Sequence, residues 1–290
     1  MLPLPPGHRF PMRKYAALRE RILAERLVPP DDLRVPDPAT DADLLRVHAP
    51  EYVAAVTSGT LDRKAQRKIG FPWSPGMVER SRRSVGATMA AARSALAEGL
   101  AANLAGGTHH AHYASGGGFC VFNDAVVALR ALQAEGRITQ ALILDADVHQ
   151  GDGTAALCHD DPSIFTLSIH GAKNYPFHKP PSDLDIGLPD GAGDAVYLDA
   201  LQTGVSQAFA AITPDIVIYL AGADPYEKDK LGRLALSKDG LRARDVFVLD
   251  ACRAHGVPVA LVMAGGYAPD VDDIVDIHFM TLALAQARMV

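Results

Sequence analysis

The chain has 290 residues, of which 48% are hydrophobic and 21% charged, a composition typical of a protein with a packed core and not of a disordered one. The formal net charge of −6 argues against a general nucleic-acid binder, which would carry a basic patch. Three cysteines, Cys120, Cys158 and Cys252, form neither a CxxC pair nor an even-numbered disulfide framework, which is typical of a reducing compartment.

The sequence predicts neither a membrane anchor nor a secretory leader. No apolar run approaches the ~18 residues that a bilayer span requires, and the start, MLPLPPGHRFP, lacks the basic-then-apolar layout of a signal peptide. We therefore expect a cytoplasmic protein that binds neither a membrane nor nucleic acid. The sequence does not indicate its oligomeric state. No repeat or Gly/Ser linker divides the chain, so we expect one domain over residues 1–290.

The N-terminal 75 residues are Pro-rich and irregular, with one predicted helix over Met12–Glu25. A long helix is predicted over Pro75–Gly99, where apolar residues recur at helical spacing. Further helices are predicted from capping residues: from Asn123 to Gly136, from Asp194 to near Thr213, and from Ser237 to Gly256.

Short buried-strand patterns alternate with these helices. The predicted strands are Ala141–Leu144, Ile164–Ile169, Ile216–Leu220 and Val259–Met263. Strands that alternate with helices indicate a mostly parallel sheet covered on both faces. The expected fold is therefore α/β, a single-domain three-layer αβα arrangement.

Ligands of open parallel sheets bind outside the carboxyl ends of the strands. In this sequence the residues at those ends, in chain order, are Asp145, Asp147 and His149, then His170, then Asp224, and finally Gly265, Gly266 and Tyr267. Three of the four strand ends carry groups that bind metals or transfer protons, and this convergence predicts a site there.

Asp147 and His149 lie in the segment LDADVHQGDG. Residues two apart in an extended segment project to the same side, and Asp224 is the natural third ligand. Three protein ligands with one open position are typical of catalytic zinc, and the oxygen-rich set lets Fe²⁺ compete with Zn²⁺. The alternative is that the first two residues only cap a turn.

Two adjacent histidines, His109 and His110, lie in the Gly-rich segment GGTHHAHYASGGGFCVFNDA. They are interpreted as a second metal site or an acid/base pair, since histidine suits proton transfer near neutral pH. Such a pair needs carboxylates to fix its tautomers, and Asp145 and Asp152 are candidates. The alternative is a solvated loop, which is what we expect of the neighbouring His112.

The last motif is MAGGY, Met263–Tyr267. Paired glycines let the backbone approach a ligand closely, and the Tyr267 hydroxyl that follows can stabilise an oxyanion formed at an amide carbonyl. Alone, the motif is weak, because many strands end in a Gly-Gly turn.

Together these segments resemble the histone deacetylase family, which shares its fold with arginase. The resemblance is carried, in order from about Ile69 to the C-terminus, by GGTHH, GGGFCVFNDA, ILDADVHQGDGT, TLSIHG, YLAGADPYEKDKLGRLALS and MAGGY. The segments FPWSPGMVERSRRSVGAT and DKLGRLALSKDGL are most similar to the class IV-like branch and its bacterial relatives. The resemblance implies hydrolysis of an acylated amine, a small molecule or peptide, by a zinc-dependent deacetylase.

The resemblance also implies roles for individual residues. The implied metal ligands are Asp147, His149 and Asp224. His110 would be the general base that activates the attacking water and later protonates the leaving amine, with His109 as its electrostatic partner. Asp145 would support His109, and Asp152 would support His110. Tyr267 would join the metal in polarising the acyl carbonyl.

Further implications concern the substrate channel and a second ion. Gly118 and Phe119 would line the channel, with Phe177 or Tyr175 as the opposing wall. Family members also bind a structural monovalent cation, K⁺ or Na⁺. Its implied ligands are the Asp145 side chain, the Ser168 hydroxyl, and the carbonyls of Asp145, Asp147, His149 and Ile169.

Two features depart from the family. Relatives carry a further N-terminal strand, so we expect either a missing start or a rebuilt first edge of the sheet. The rim segment Ile69–Pro75 has no acidic residue where larger deacetylases grip the substrate backbone, which puts recognition of a protein tail in question. Trp73 offers an apolar or cation–π surface there instead.

Four alternatives follow. An acetylpolyamine amidohydrolase shares the chemistry, and longer acyl chains fit the same mechanism. A binuclear manganese ureohydrolase would need more Asp and His ligands at the strand ends than the sequence supplies. An inactive acyl-lysine binding module would be expected to lose the tyrosine or a catalytic histidine, whereas His109, His110 and Tyr267 are all present.

Overall fold

The computed structural model describes residues 2–288 and places six strands in one sheet. The strands are β1 (Leu100–Asn103), β2 (Ala141–Asp145), β3 (Ile164–Gly171), β4 (Leu184–Leu188), β5 (Ile216–Leu220) and β6 (Val259–Val262). Their order across the sheet is β1-β6-β5-β2-β3-β4, and every neighbouring pair within the described residues is parallel. The expected α/β fold with a parallel sheet is confirmed.

Ten α-helices lie within residues 2–288. They are α1 (Arg13–Ala24), α2 (Asp41–Leu44), α3 (Pro50–Ser58), α4 (Arg63–Ile69), α5 (Pro75–Glu98), α6 (Asp124–Ala134), α7 (Asp152–Cys158), α8 (Asp194–Ala211), α9 (Lys238–Ala254) and α10 (Val271–Gln286). A single turn of 3₁₀ helix covers Pro30–Asp32.

The strands separate two apolar cores, because successive side chains of a strand point to opposite faces. In β2, Ile143 faces the core that α5 and α6 complete, whereas Leu142 and Leu144 face the core of α1, α8, α9 and α10. β5 alternates in the same way, with Ile218 on the first face and Tyr219 on the second. The sheet is therefore the middle of three layers.

The predicted helices and strands agree with the structure to within about two residues at each end, with one correction. Asp194 does not cap its helix: Gly193 occupies the cap position, and Asp194 is the first residue of α8. A carboxylate in the first turn is favoured by the helix dipole. This carboxylate also accepts the N–H and O–H of Ser237, at 2.9 and 2.6 Å, and so ties the beginnings of α8 and α9 together.

The N-terminal region holds more helix than its sequence suggests, because α2, α3 and α4 are too short for a clear apolar period. The first strand in the described chain is β1, an edge strand beside β6, so no further N-terminal strand lies within residues 2–288. Near the start of the described chain, Phe10 packs against Phe71 and Phe119, at 4.9 and 5.2 Å between ring centroids. No helix in the described residues is long and apolar enough to cross a membrane.

Candidate metal centre and catalytic site

Four adjacent strands, β1, β6, β5 and β2, place their following loops over one end of the sheet. The loop after β1 carries His109 and His110, and that after β6 carries Tyr267. The loop after β5 carries Asp224, and that after β2 begins the Asp145–Asp152 segment. The strand order therefore brings together residues that are up to 158 positions apart in the chain.

Three ligand atoms converge at the centre of this end. Asp147, His149 and Asp224 are buried, and one ligand atom of each lies within 4.8 Å of the other two, the one such group of three in the described chain. His149 Nδ1 lies 3.0 Å from Asp147 Oδ1 and 3.3 Å from Asp224 Oδ2. The predicted i, i+2 pair and its third ligand are thus adjacent in space.

The surroundings of these atoms suit a bound cation. Asp224 Oδ1 accepts the Val148 N–H at 3.0 Å, but its Oδ2 is buried and accepts no hydrogen bond from the described residues. A Cβ on Gly265 would lie 1.9 Å from this Oδ2 and 2.6 Å from Asp147 Oδ2, so only glycine leaves the space open. Two carboxylates and one imidazole with an open side fit a catalytic divalent metal.

The electrostatics show the same need for positive charge. Burial and the charge of Asp147 raise the pKa of the Asp224 carboxyl to about 7. Burial acts to lower the pKa of His149, but Asp147 and Asp224 outweigh it and raise that pKa to about 10. Without a metal, protons therefore balance the two buried carboxylates, and a divalent cation would replace them.

His109 forms a buried pair with Asp145. Its Nδ1 lies 2.6 Å from Asp145 Oδ2, and its Nε2 lies 3.9 Å from Asp147 Oδ1. Burial acts to lower the pKa of His109, but these two carboxylates outweigh it and raise the pKa to about 9. The two carboxylates therefore favour the protonated form of His109.

His110 forms a second pair with Asp152, with 2.6 Å between Nδ1 and Oδ1. An ionised carboxylate can only accept, so Nδ1 carries the proton and Nε2 keeps a free lone pair. Burial, followed by the charge of His109, lowers the pKa of His110 to about 4. His110 is thus neutral, with the base form available.

The expectation that His112 is a solvated loop residue is wrong. Its Nε2 lies 3.1 Å from Asp152 Oδ2, so Asp152 contacts two histidines, and about a quarter of the His112 side chain is exposed. Burial acts to raise the pKa of Asp152, but the two histidines outweigh it and hold that pKa below its ordinary value. Sequence spacing gave no sign of this contact, because it depends on where the loop after β1 meets the start of α7.

Tyr267 lies beside these groups. Its ring centroid is 6.4 Å from that of His149 and 5.9 Å from that of Phe119. Its hydroxyl makes no hydrogen bond to the described residues. Burial, together with the charges of Asp224 and Asp147, raises the pKa of the Tyr267 phenol well above its ordinary value. The hydroxyl is therefore a protonated donor.

A cavity leads to this cluster, and Gly118 and Phe119 line it together with Tyr267. Gly118 has φ +52°, and a Cβ there would lie 2.5 Å from the His110 ring, so glycine is required for the close approach. Of the two residues considered for the opposing wall, Tyr175 packs on His110 at 4.9 Å. Neither Tyr175 nor Phe177 lines this cavity, and Phe177 is 90% exposed.

The residues expected to hold a monovalent cation are also neighbours. The register of β2 and β3 pairs Asp145 with Ser168, and Ile169 follows in β3. Asp147 and His149 follow Asp145 in the next loop. The Ser168 hydroxyl lies 2.9 Å from His170 Nδ1, and this contact places His170 beside the group and not among the ligands of the metal centre.

Several supporting residues escaped sequence reasoning. The buried Lys14 donates to the carbonyls of Ala264 and Gly266, at 3.2 and 3.4 Å. The buried Arg244 donates to the carbonyl of Gly222 at 2.6 Å, under the loop of Asp224. These contacts join residues far apart in the chain, so no local spacing could reveal them.

The sequence matches a known domain family and several known proteins. The histone deacetylase domain matches residues 8–282. An uncharacterised protein of Picosynechococcus sp. is 46% identical over 276 residues, 95% of this chain and 92% of that protein. The histone deacetylase-like amidohydrolase of Pseudomonas aeruginosa is 31% identical over 258 residues, 81% of this chain and 66% of that protein.

A solved structure extends the agreement to the fold. The crystal structure of an HDAC homolog complexed with SAHA superimposes with a TM-score of 0.87 at 24% identity, over 98% of this chain and 80% of that one. The domain match covers nearly the whole chain. The chain belongs to the histone deacetylase family of hydrolases.

Proposed function

We propose that the protein is a zinc-dependent deacylase that removes acetyl or longer acyl groups from the amine of lysine-like substrates. The observation that carries the proposal is the buried Asp147, His149 and Asp224 centre, in which Asp224 Oδ2 accepts no hydrogen bond from the described residues. A neutral His110 and a protonated Tyr267 flank this centre.

Asp147, His149 and Asp224 would hold Zn²⁺, with Fe²⁺ as the competing ion. Zinc in such a site supplies Lewis acidity toward the acyl carbonyl and toward the attacking water. The chain's own residues do the remaining work. The channel walls Gly118 and Phe119 orient the substrate stem, and Tyr175 packs against the base.

His110 takes a proton from water at its free Nε2 as the water oxygen adds to the carbonyl carbon. Asp152 fixes the tautomer and stabilises the imidazolium that results. Tyr267 donates its hydroxyl proton in a hydrogen bond to the carbonyl oxygen as negative charge develops. The C–N bond then breaks, and His110 returns the proton to the leaving amine. The products are a carboxylic acid and an amine.

A structural K⁺ or Na⁺ on Asp145, Ser168 and the nearby carbonyls is part of the proposal, and the β2–β3 register supports it. Cysteine nucleophile chemistry is not favoured, because burial raises the pKa of the Cys120 thiol well above its ordinary value. An acetylpolyamine as substrate would use the same catalytic groups, and so the acyl-amine accepted is what the test must identify.

The test is hydrolysis by purified, zinc-loaded protein of acetyl-lysine peptides, acetylated polyamines and long-chain acyl-lysine peptides, with Asp224→Ala as the blank. We expect turnover that the blank lacks, and the preferred member names the substrate class. Tyr267→Phe should lower kcat by about 10²–10³-fold, as expected for the loss of one oxyanion donor. Folded, zinc-bound wild-type protein that hydrolyses none of them would favour the acyl-lysine binding module and contradict the proposal.

A further inference from the structure

Asp229 lies in the loop after β5, five residues beyond Asp224, and the mechanism above does not use it. Its carboxylate accepts three backbone N–H groups. Oδ1 takes those of Leu231 and Gly232, at 2.8 and 2.9 Å. Oδ2 takes that of Tyr267, at 2.6 Å. One side chain thus joins the loop of a metal ligand to the loop of the proposed oxyanion donor.

We infer that Asp229 is the positioning residue for Tyr267, which holds the tyrosine at a fixed place relative to Asp224. The inference rests on the proposed function. Two glycines precede Tyr267, and Gly266 has φ +150°, so the local backbone has little conformational preference of its own. The position of the tyrosine must therefore come from contacts made by other parts of the chain.

Those contacts divide the loop among different partners. Gly265 N–H donates to Asp147 Oδ2 at 2.8 Å, and Lys14 donates to the carbonyls of Ala264 and Gly266. At Tyr267 itself, among the described residues, the N–H is held by Asp229. At 2.6 Å, this is the shortest of the three hydrogen bonds that Asp229 accepts. The Asp229 carboxylate therefore holds the backbone at the residue that carries the phenol side chain.

The other oxygen of Asp229, Oδ1, links the carboxylate to the backbone near Asp224. It fixes a turn whose Gly232 packs on the Asp224 carbonyl, because a Cβ there would lie 2.1 Å from that oxygen. Asp229 therefore sets the spacing between the metal ligand's backbone and the tyrosine's backbone. The Tyr267 hydroxyl is at the far end of its side chain, where a small tilt of the backbone is amplified. A displacement of about 1 Å can cost about 10²-fold in rate.

Asp229→Asn tests this role with almost no change of shape. An amide offers one acceptor and one donor, so either the Tyr267 N–H or the N–H pair of Leu231 and Gly232 faces another N–H. We expect kcat to fall by about 10–10²-fold, with KM and zinc affinity within about twofold of wild type. Asp215→Asn is the control for the exchange itself, since Asp215 accepts the N–H groups of Thr139 and Gln140 at the other end of the sheet, away from the site.

A double-mutant cycle separates positioning from a general structural role. If Asp229 acts through the tyrosine, Asp229→Asn changes kcat by less than about twofold in a Tyr267→Phe background. Losses that multiply in the double variant, or zinc affinity that falls with Asp229→Asn alone, would overturn the inference while leaving the proposed function intact.

Crystal structures of wild type and Asp229→Asn give a readout that does not depend on turnover. We expect the Tyr267 ring to move by about 1 Å in the variant while the metal ligands stay in place. An unmoved ring would overturn the inference even if no substrate had been found. Failure of the proposed function shows differently, as wild-type protein without turnover on any acyl-amine.

Discussion

The two histidine–aspartate pairs share a geometry and differ in charge. His109 and His110 are neighbours in sequence, their rings are 4.1 Å apart, and each Nδ1 lies 2.6 Å from a carboxylate. Yet the pKa of His109 is raised to about 9, whereas that of His110 is lowered to about 4. The two histidines therefore have different pKa values although their hydrogen bonds have the same length.

The surroundings explain the difference. His109 faces two carboxylates, Asp145 and Asp147, and their charges outweigh the cost of burial. His110 faces one carboxylate, Asp152, which it shares with His112, and it also faces the charge of His109. Environments that push two pKa values apart divide the acid and base roles between like groups. In the proposed function, the first pair therefore holds a charge and the second supplies the base.

The largest change in kcat is expected when the His110–Asp152 pair is broken. His110→Ala removes the general base, so kcat should fall by about 10²–10⁴-fold, with zinc content unchanged. Hydrolysis of the preferred acyl-amine measures it. His159→Ala is the control, because that side chain is largely exposed and lies outside the site, and it should keep wild-type kcat. If His110→Ala retains a tenth of the activity, the base role is wrong.

Breaking the first pair should show in stability. His109→Ala leaves Asp145 buried without its partner, and loss of one member of a buried ion pair costs about 3–5 kcal/mol of unfolding free energy. For a chain of this size the Tm should fall by roughly 5–8 °C. Calorimetry of the metal-free protein measures it.

His110→Ala supplies the matched comparison for that measurement, since Asp152 keeps His112 as a partner. Its Tm should fall by less than half as much. Equal losses of Tm in the two variants would contradict the proposed difference in charge between the two pairs.

The smallest change in kcat is expected from a substitution beside the His110–Asp152 pair. His112→Ala removes one hydrogen bond from Asp152 and leaves that of His110. A net contribution of about 0.5–1 kcal/mol corresponds to a roughly two- to fivefold lower kcat with an unchanged KM. Steady-state kinetics measure this against wild type. A kcat equal to that of wild type would show that His112 only covers Asp152, without supporting its charge.

Local patterns were sufficient for much of this molecule. β2 and β5 were predictable almost to the residue, because strands buried on both faces are continuous apolar runs. β1 and β4 were missed because neither is a continuous buried run: the middle of β1 is half-buried, and β4 alternates half-buried and exposed residues at the edge of the sheet. The spacing of Asp147 and His149 predicted a shared face, and the carboxyl end of β5 predicted Asp224 as their partner.

The sequence by itself determined the parallel sheet and the candidate residues of the site, namely the carboxylates, histidines and tyrosine that follow its strands. What only the tertiary structure decided is which groups meet. Strand order puts β6 beside β5, and so Tyr267 meets Asp224 and Asp229. The packing of the loop after β1 against the start of α7 gives Asp152 its second histidine. These contacts depend on packing between distant segments of the chain. Periodicity and spacing relate only residues that are close together in the sequence, and so they cannot report such contacts.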